Sequence, residues 1–177
     1  MKRYILTGTP GSGKTLIIRV LEMNGHIVIN EAATDIIAYE QALGNAAPWE
    51  NPQFIDQIIH LQKQRQIRLE HTPSEIQFYD RSPICTYALA IHLNYNPSAM
   101  LLEEVGRIAK NKIYQKKVFF IENLGFCKST EARRISFEHA LAFEKIHAET
   151  YAQFGFECVK IPPAALLDRA KAILKVI

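Results

Sequence analysis

The sequence predicts an α/β fold with three layers, α/β/α, around a parallel sheet of five strands. Three observations predict it. Short β-branched and aromatic runs alternate with helical patterns along all 177 residues. A glycine-rich loop separates the first strand from the first helix, and carboxylates follow several of the later strands.

Residues 2–7 read as a short strand ending at Gly8, and 14–24 as a helix. His26-Ile27-Val28-Ile29-Asn30 is a second strand. From Glu31, Ala33, Ile36 and Ile37 fall at helical offsets, while Glu31, Thr34 and Asp35 make a polar face. A loop from Asn45 to Pro52 carries Trp49, and Phe54, Ile58 and Leu61 continue a long helix towards His71. Residues 75–79 are the third strand, ending at Asp80, and Ser82-Pro83 reads as a cap followed by proline at the first helical position. Pro97 opens a helix to about Asn111, and Lys117 to Ile121 is the fourth strand. Phe137, Ala140, Leu141, Ala148 and Tyr151 form a helical stripe. Phe156 to Ile161 is the last strand, and an amphipathic helix from Leu166 finishes the chain.

No repeat or Gly/Ser linker divides residues 1–177, so one domain is expected. No apolar run approaches bilayer length, and Tyr4-Ile5-Leu6 is too short for a signal-peptide core. Cys85, Cys127 and Cys158 lack metal or redox spacing, which points to a reducing, cytoplasmic setting. The net charge of +3 is mild. Its basic cluster of Lys110, Lys112, Lys116 and Lys117 suits a solvated helix end better than a nucleic-acid stripe. Neither nucleic acid nor membrane is therefore an expected partner, and no oligomeric state is legible.

Gly8-Thr9-Pro10-Gly11-Ser12-Gly13-Lys14-Thr15 fits G-x-x-x-x-G-K-[ST] at every specified position. Glycines let successive backbone amides turn inward around phosphate oxygens, and the following helix adds its N-terminal dipole. Lys14 should reach the β- and γ-phosphates and the Thr15 hydroxyl should ligate Mg²⁺; the next position, Leu16, has no assigned role. In parallel sheets ligands gather beyond the carboxyl ends of the strands, where Gly8, Glu31, Asp80 and Glu122 follow one another.

The branch of phosphate-loop proteins follows by exclusion. Asn111-Lys112-Ile113-Tyr114 lacks the aspartate of a guanine reader, and Asp80-Arg81-Ser82-Pro83 lacks the glycine of a second GTPase switch. A transporter-type Leu-Ser-Gly-Gly signature is absent, and a ring-forming machine would need a further helical domain. A compact kinase-like domain remains.

The ordered set Thr7 to Thr15, Asn30-Glu31-Ala32-Ala33, Trp49 with Pro52 and Phe54, and Tyr79-Asp80-Arg81 resembles a P-loop, kinase-like ATPase family of single AAA-type domains. That family includes the ribosylnicotinamide-kinase domain of a bacterial NAD regulator. Arg133, Phe137, Glu138 and Ala140 ahead of Gly155 and Pro162 continue the pattern, which spans nearly the whole chain. The chain departs from it at Glu122-Asn123-Leu124, where Pro-Pro-Trp is common, and at Thr130 and Ile135 beside the lid arginine.

The resemblance implies ATP, with GTP as an alternative, and Mg²⁺ as cofactors, and a small-molecule acceptor as partner. It implies that Glu31 accepts a proton from the acceptor hydroxyl, as the matching acid does in deoxynucleoside kinases. Asp80 would hold Mg²⁺ through water, and Arg81 would contact the acceptor or the moving phosphoryl. Arg133, with Arg134, would close from a lid at about 122–136. Thr34 and Asp35 are candidates to touch the acceptor, and Gln57 and Gln62 to read a base or ribose. Ser82 is left to capping, Trp49 to packing a loop, and His60, His139 and His147 to ordinary helical positions. Two functions are weighed: a Mg-dependent kinase of a nucleoside or ribosyl compound, and a nucleotide-gated regulatory module acting on a protein.

Overall fold

In a computed structural model of the chain, residues 1–124 and 137–177 are described. The elements in order are β1 (Lys2–Thr7), α1 (Lys14–Met23), β2 (Ile27–Ile29), α2 (Ala32–Ala42), a 3-10 turn (Pro48–Glu50) and α3 (Gln53–Arg68). Then follow β3 (Ile76–Asp80), α4 (Pro83–His92), α5 (Ala99–Asn111), β4 (Lys117–Ile121), α6 (Phe137–Gln153), β5 (Glu157–Ile161) and α7 (Leu166–Leu174). The five strands run in the order β2-β3-β1-β4-β5 and every pairing is parallel.

The central strand shows why the sheet needs helices on both faces. Consecutive residues of β1 point to opposite sides, and four of its six are buried. Tyr4 and Leu6 pack with Ile17, Ile18 and Leu21 of α1 and with Ala170 and Ile173 of α7. Ile5 packs with Ile55, Ile84, Leu101 and Tyr151 from α3, α4, α5 and α6. Fully burying each such aliphatic chain contributes about 1.5–3 kcal/mol, so the alternation in β1 stabilises both layers at once.

The element boundaries differ from the sequence expectation where side chains intervene. The helix expected from Pro97 starts at Ala99, because the Ser98 hydroxyl caps it by accepting from the Leu101 amide at 3.1 Å. The helix expected to reach His71 stops at Arg68. Ser82 stands at the N-cap position of α4 with Pro83 next, as expected, but its hydroxyl makes no capping bond: Oγ lies 2.9 Å from the Tyr151 hydroxyl instead. That bond belongs to a buried set in which Tyr151 also meets Cys85 Sγ at 3.0 Å and Cys85 meets Thr7 Oγ1 at 3.2 Å. A side chain committed to a helix 69 residues away is not available to its own helix. The lysines at 110, 112, 116 and 117 are all exposed, as a solvated helix end requires.

Candidate functional site

The loop between β1 and α1 starts where a side chain has no room. A Cβ at Gly8 would stand 2.3 Å from the carbonyl oxygen of Ile121, and its φ of 131° disfavours any other residue. Gly13 precedes α1 in the left-handed region and carries the Arg169 guanidinium against it. Lys14 is buried and donates from Nζ to the Thr9 carbonyl at 3.1 Å, folding its ammonium over the loop. The Ser12 hydroxyl is buried and makes no hydrogen bond among the described residues. A helix N-terminus, a buried ammonium and a spare hydroxyl fit a phosphate group. Thr15, exposed in the first turn of α1, and Asp80, buried at the end of β3, offer the oxygen donors that Mg²⁺ takes.

Glu31 stands just ahead of α2 but does not cap it. Its Oε1 accepts from Arg81 Nε at 2.5 Å and its Oε2 from the Thr34 hydroxyl at 2.9 Å. Arg81 follows β3 with φ 71°, a conformation rare for a residue with a Cβ. Its amide donates to the Leu6 carbonyl at 3.0 Å, so the turn is tied to the central strand just before the phosphate loop. Burial works against the guanidinium charge, but the Glu31 carboxylate, with smaller help from Cys85 and Asp80, leaves its pKa above the ordinary value. Although Asp80 is its neighbour in sequence and acts on its charge, Arg81 forms its ion pair with Glu31, 50 residues back.

A cavity of about 310 Å³ opens beside this pair, touching the phosphate loop at Pro10. Its walls are mostly apolar, with Ile37, Trp49, Phe54, Leu89 and Phe143 among them. Gln62 and Thr86 make a polar notch, the Thr86 hydroxyl donating to Gln62 Oε1 at 3.0 Å. Such a shape suits a small molecule with one flat apolar part and a few polar groups.

The sequence candidates divide accordingly. Pro10, Glu31, Arg81, Thr34 and Gln62 are brought together at the cavity. Asp35 is turned to an ion pair with Arg65, and Gln57 donates to Glu40 at 2.7 Å. Glu122 sits at the expected sheet edge but faces Lys160 at 3.5 Å. Leu16 is exposed and His60 pairs with Gln64 on the surface. Arg133, Arg134 and most of the expected lid lie outside the described residues.

Three residues do more than the sequence predicts. Trp49 does pack its loop, against the Ala32, Phe54 and Ile58 cluster, yet it also lines the cavity. His139 lines it too. His147, expected to be ordinary, is fully buried with Nε2 3.2 Å from Arg81 Nη1. Glu144 was not singled out at all; its Oε2 receives Thr9 Oγ1 at 3.4 Å and Asn123 Nδ2 at 3.2 Å, placing an acid against the phosphate loop. For His139, Glu144 and His147 the signal in the sequence is their place on α6.

Comparison with known proteins agrees with this fold. Residues 3–169 match the family described as AAA domain. No curated protein matches the chain by sequence. Among solved structures, deoxyadenosine kinase from M. mycoides with bound dATP superposes with a TM-score of 0.60 at 15% identity, covering 98% of both chains. The same enzyme with bound dCTP gives 0.61 at 17% identity, covering 99% of this chain and 98% of that one. With the products dCMP and a flexible dCDP it gives 0.58 at 15% identity, covering 98% and 97%. At such identities the likeness is one of fold. With its glycine loop cradled between β1 and α1 and its parallel sheet built as in a nucleoside kinase, this chain belongs to the AAA domain family.

Proposed function

We propose that this protein is a kinase that transfers the γ-phosphoryl group of ATP, or of GTP, to a hydroxyl of a small metabolite such as a nucleoside or ribosyl compound. The observation that carries the reading is the Glu31–Arg81 pair, set between a phosphate-binding loop and an apolar cavity. Phosphoryl transfer asks little covalent chemistry of a protein; it asks for alignment and for charge where charge develops. Lys14 and the loop amides hold the phosphates. Glu31, its two oxygens already fixed by Arg81 and Thr34, takes up the acceptor proton and aims the oxygen in line. Arg81 then faces the phosphoryl group in flight, and Arg133 is assigned to closing over it. Thr15 and Asp80 would hold Mg²⁺, which when bound offsets the charge on the phosphate oxygens. The nucleoside-kinase fold supports the acceptor class, and the sequence resemblance keeps a ribosylnicotinamide-like acceptor within it.

The test is a panel of deoxynucleosides, ribonucleosides and nicotinamide riboside incubated with labelled ATP and MgCl₂, with Lys14→Ala as control. Label transferred to one acceptor, lost in the control and on chelation with EDTA, supports the kinase. Slow ATP hydrolysis that no acceptor accelerates would replace it with the regulatory-module reading.

A further inference from the structure

His147 lies on α6, buried, with each ring nitrogen facing a different partner. Nδ1 is 3.0 Å from the Phe143 carbonyl oxygen, and Nε2 is 3.2 Å from Arg81 Nη1. A carbonyl only accepts and a guanidinium only donates. Both partners therefore demand the same state: a neutral imidazole with its proton on Nδ1 and its lone pair on Nε2, aimed at Arg81. The ring plane is fixed as well, since Phe143 meets His147 at 4.1 Å between centroids and stacks on His92 at 4.5 Å.

Arg81 is in this way gripped from two helices, by Glu31 ahead of α2 and by His147 on α6. The two grips do different things. An arginine facing a carboxylate unaided favours fork-to-fork pairing, with two nitrogens on two oxygens. Here Nη1 is drawn to His147 and Thr34 occupies the second oxygen of Glu31, and among the described residues Arg81 meets Glu31 through the Nε–Oε1 edge.

We propose that His147 is a positioning residue: its Nε2 lone pair holds the Arg81 guanidinium by Nη1 and so fixes Nε as the edge that Arg81 turns to Glu31. The consequence for transfer rests on the kinase reading; the orientation itself does not. Burial supports the neutral state by lowering the imidazole pKa well below its ordinary value, with Arg81, Lys14 and His92 acting in the same direction and the Phe143 carbonyl opposing.

The experiment pairs two substitutions. His147→Asn keeps a donor for Phe143 and loses the acceptor for Arg81; His147→Gln can place an amide oxygen near the Nε2 position. In ¹⁵N spectra of the unaltered protein at pH 7, without ligand, His147 should show a protonated Nδ1 and a bare Nε2. Exchange of the Arg81 Nη1 hydrogens should quicken by about tenfold or more in His147→Asn, as loss of one hydrogen bond to a charged group implies, and return most of the way in His147→Gln. With deoxyadenosine and deoxycytidine as acceptor probes, kcat should follow the same order while ATP affinity stays unchanged. A protonated Nε2 overturns the proposal, and that reading needs no variant to fold. Equal Arg81 exchange in the unaltered protein and His147→Asn overturns it too. If neither probe is phosphorylated by the unaltered protein while the panel also fails, the kinase reading falls and the exchange measurement still decides the role of His147.

Discussion

Arg169 on the last helix donates from Nη1 to the carbonyl oxygen of Ser12, 2.7 Å away, across 157 residues of chain. Its Nη2 donates to the carbonyls of Glu122 at 2.8 Å and Ile161 at 3.3 Å, so one buried guanidinium ties the phosphate loop to the ends of β4 and β5. Burial lowers its pKa and the Glu122 charge partly restores it. Arg169→Met removes all three bonds while keeping much of the volume. With charged hydrogen bonds worth about 1.5–3 kcal/mol each, a loss of at least about 2 kcal/mol in stability is expected. Calorimetric titration with ATP should also show affinity reduced roughly tenfold, because the loop then orders at the expense of binding. Unchanged affinity would leave Arg169 as a stabilising residue alone.

Gly8→Ala is expected to be the most damaging small substitution. The new methyl meets the Ile121 backbone rather than a side chain that can move, and it does so at a φ that alanine avoids. Strain and overpacking together should cost about 3 kcal/mol or more. Chemical denaturation, compared with Gly25→Ala where nothing stands within 4 Å of the added atom, separates the clash from the general cost of positive φ.

Glu31→Gln should lower kcat by roughly 10²–10⁴ while ATP affinity is retained, because the amide can still meet Arg81 and Thr34 but cannot take a proton. Single-turnover kinetics on whichever acceptor the panel identifies would read this directly. Normal turnover in the variant removes Glu31 from the chemistry.

Stability should fall as the solution is acidified below about pH 6.5. His147 is neutral in the folded chain, its pKa well below the ordinary value, whereas the unfolded chain takes up a proton there. The unfolded state then binds more protons, so the contribution is fully present above the unfolded pKa and is lost as pH falls towards the folded one. One such group tilts the stability curve by at most about 1.4 kcal/mol per pH unit. His92, lowered first by burial and then by His139, acts in the same sense. Denaturation midpoints at pH 7, 6 and 5 should slope less steeply in His147→Gln, with carboxylates common to both proteins cancelling in the difference. Identical slopes would contradict it.

What was legible in the sequence was what depends on neighbours along the chain. The glycine spacing of the loop is local, and so is the two-residue alternation of β1 that buries Tyr4 and Leu6 on one side and Ile5 on the other. Glu31, Asp80 and Arg81 were legible because strands of a parallel sheet end on one edge. The structure then supplied what periodicity cannot. Ser82 takes the N-cap position that the sequence predicts, but its hydroxyl is drawn to Tyr151 from another helix. His147 has no partner within its own helix that suggests Arg81, only the Phe143 carbonyl one turn back. Thr34 and Asp35 are neighbours on one polar face, yet Arg65 from α3 draws the second away and leaves the first at Glu31. These contacts depend on docking between helices, which a pattern of apolar residues positions only coarsely.

The hydrogen bond from the Arg81 amide to Leu6 has a mechanical consequence. Leu6 is paired with Asp80 in the ladder and lies two residues before Gly8, so the turn that bears Arg81 and the loop that begins at Gly8 hang from adjacent rungs. The spacing between the glycine loop and Arg81 is therefore ruled by peptide geometry in the middle of the sheet. Swapping one aliphatic side chain for another beneath it would soften the fold well before it altered that reach.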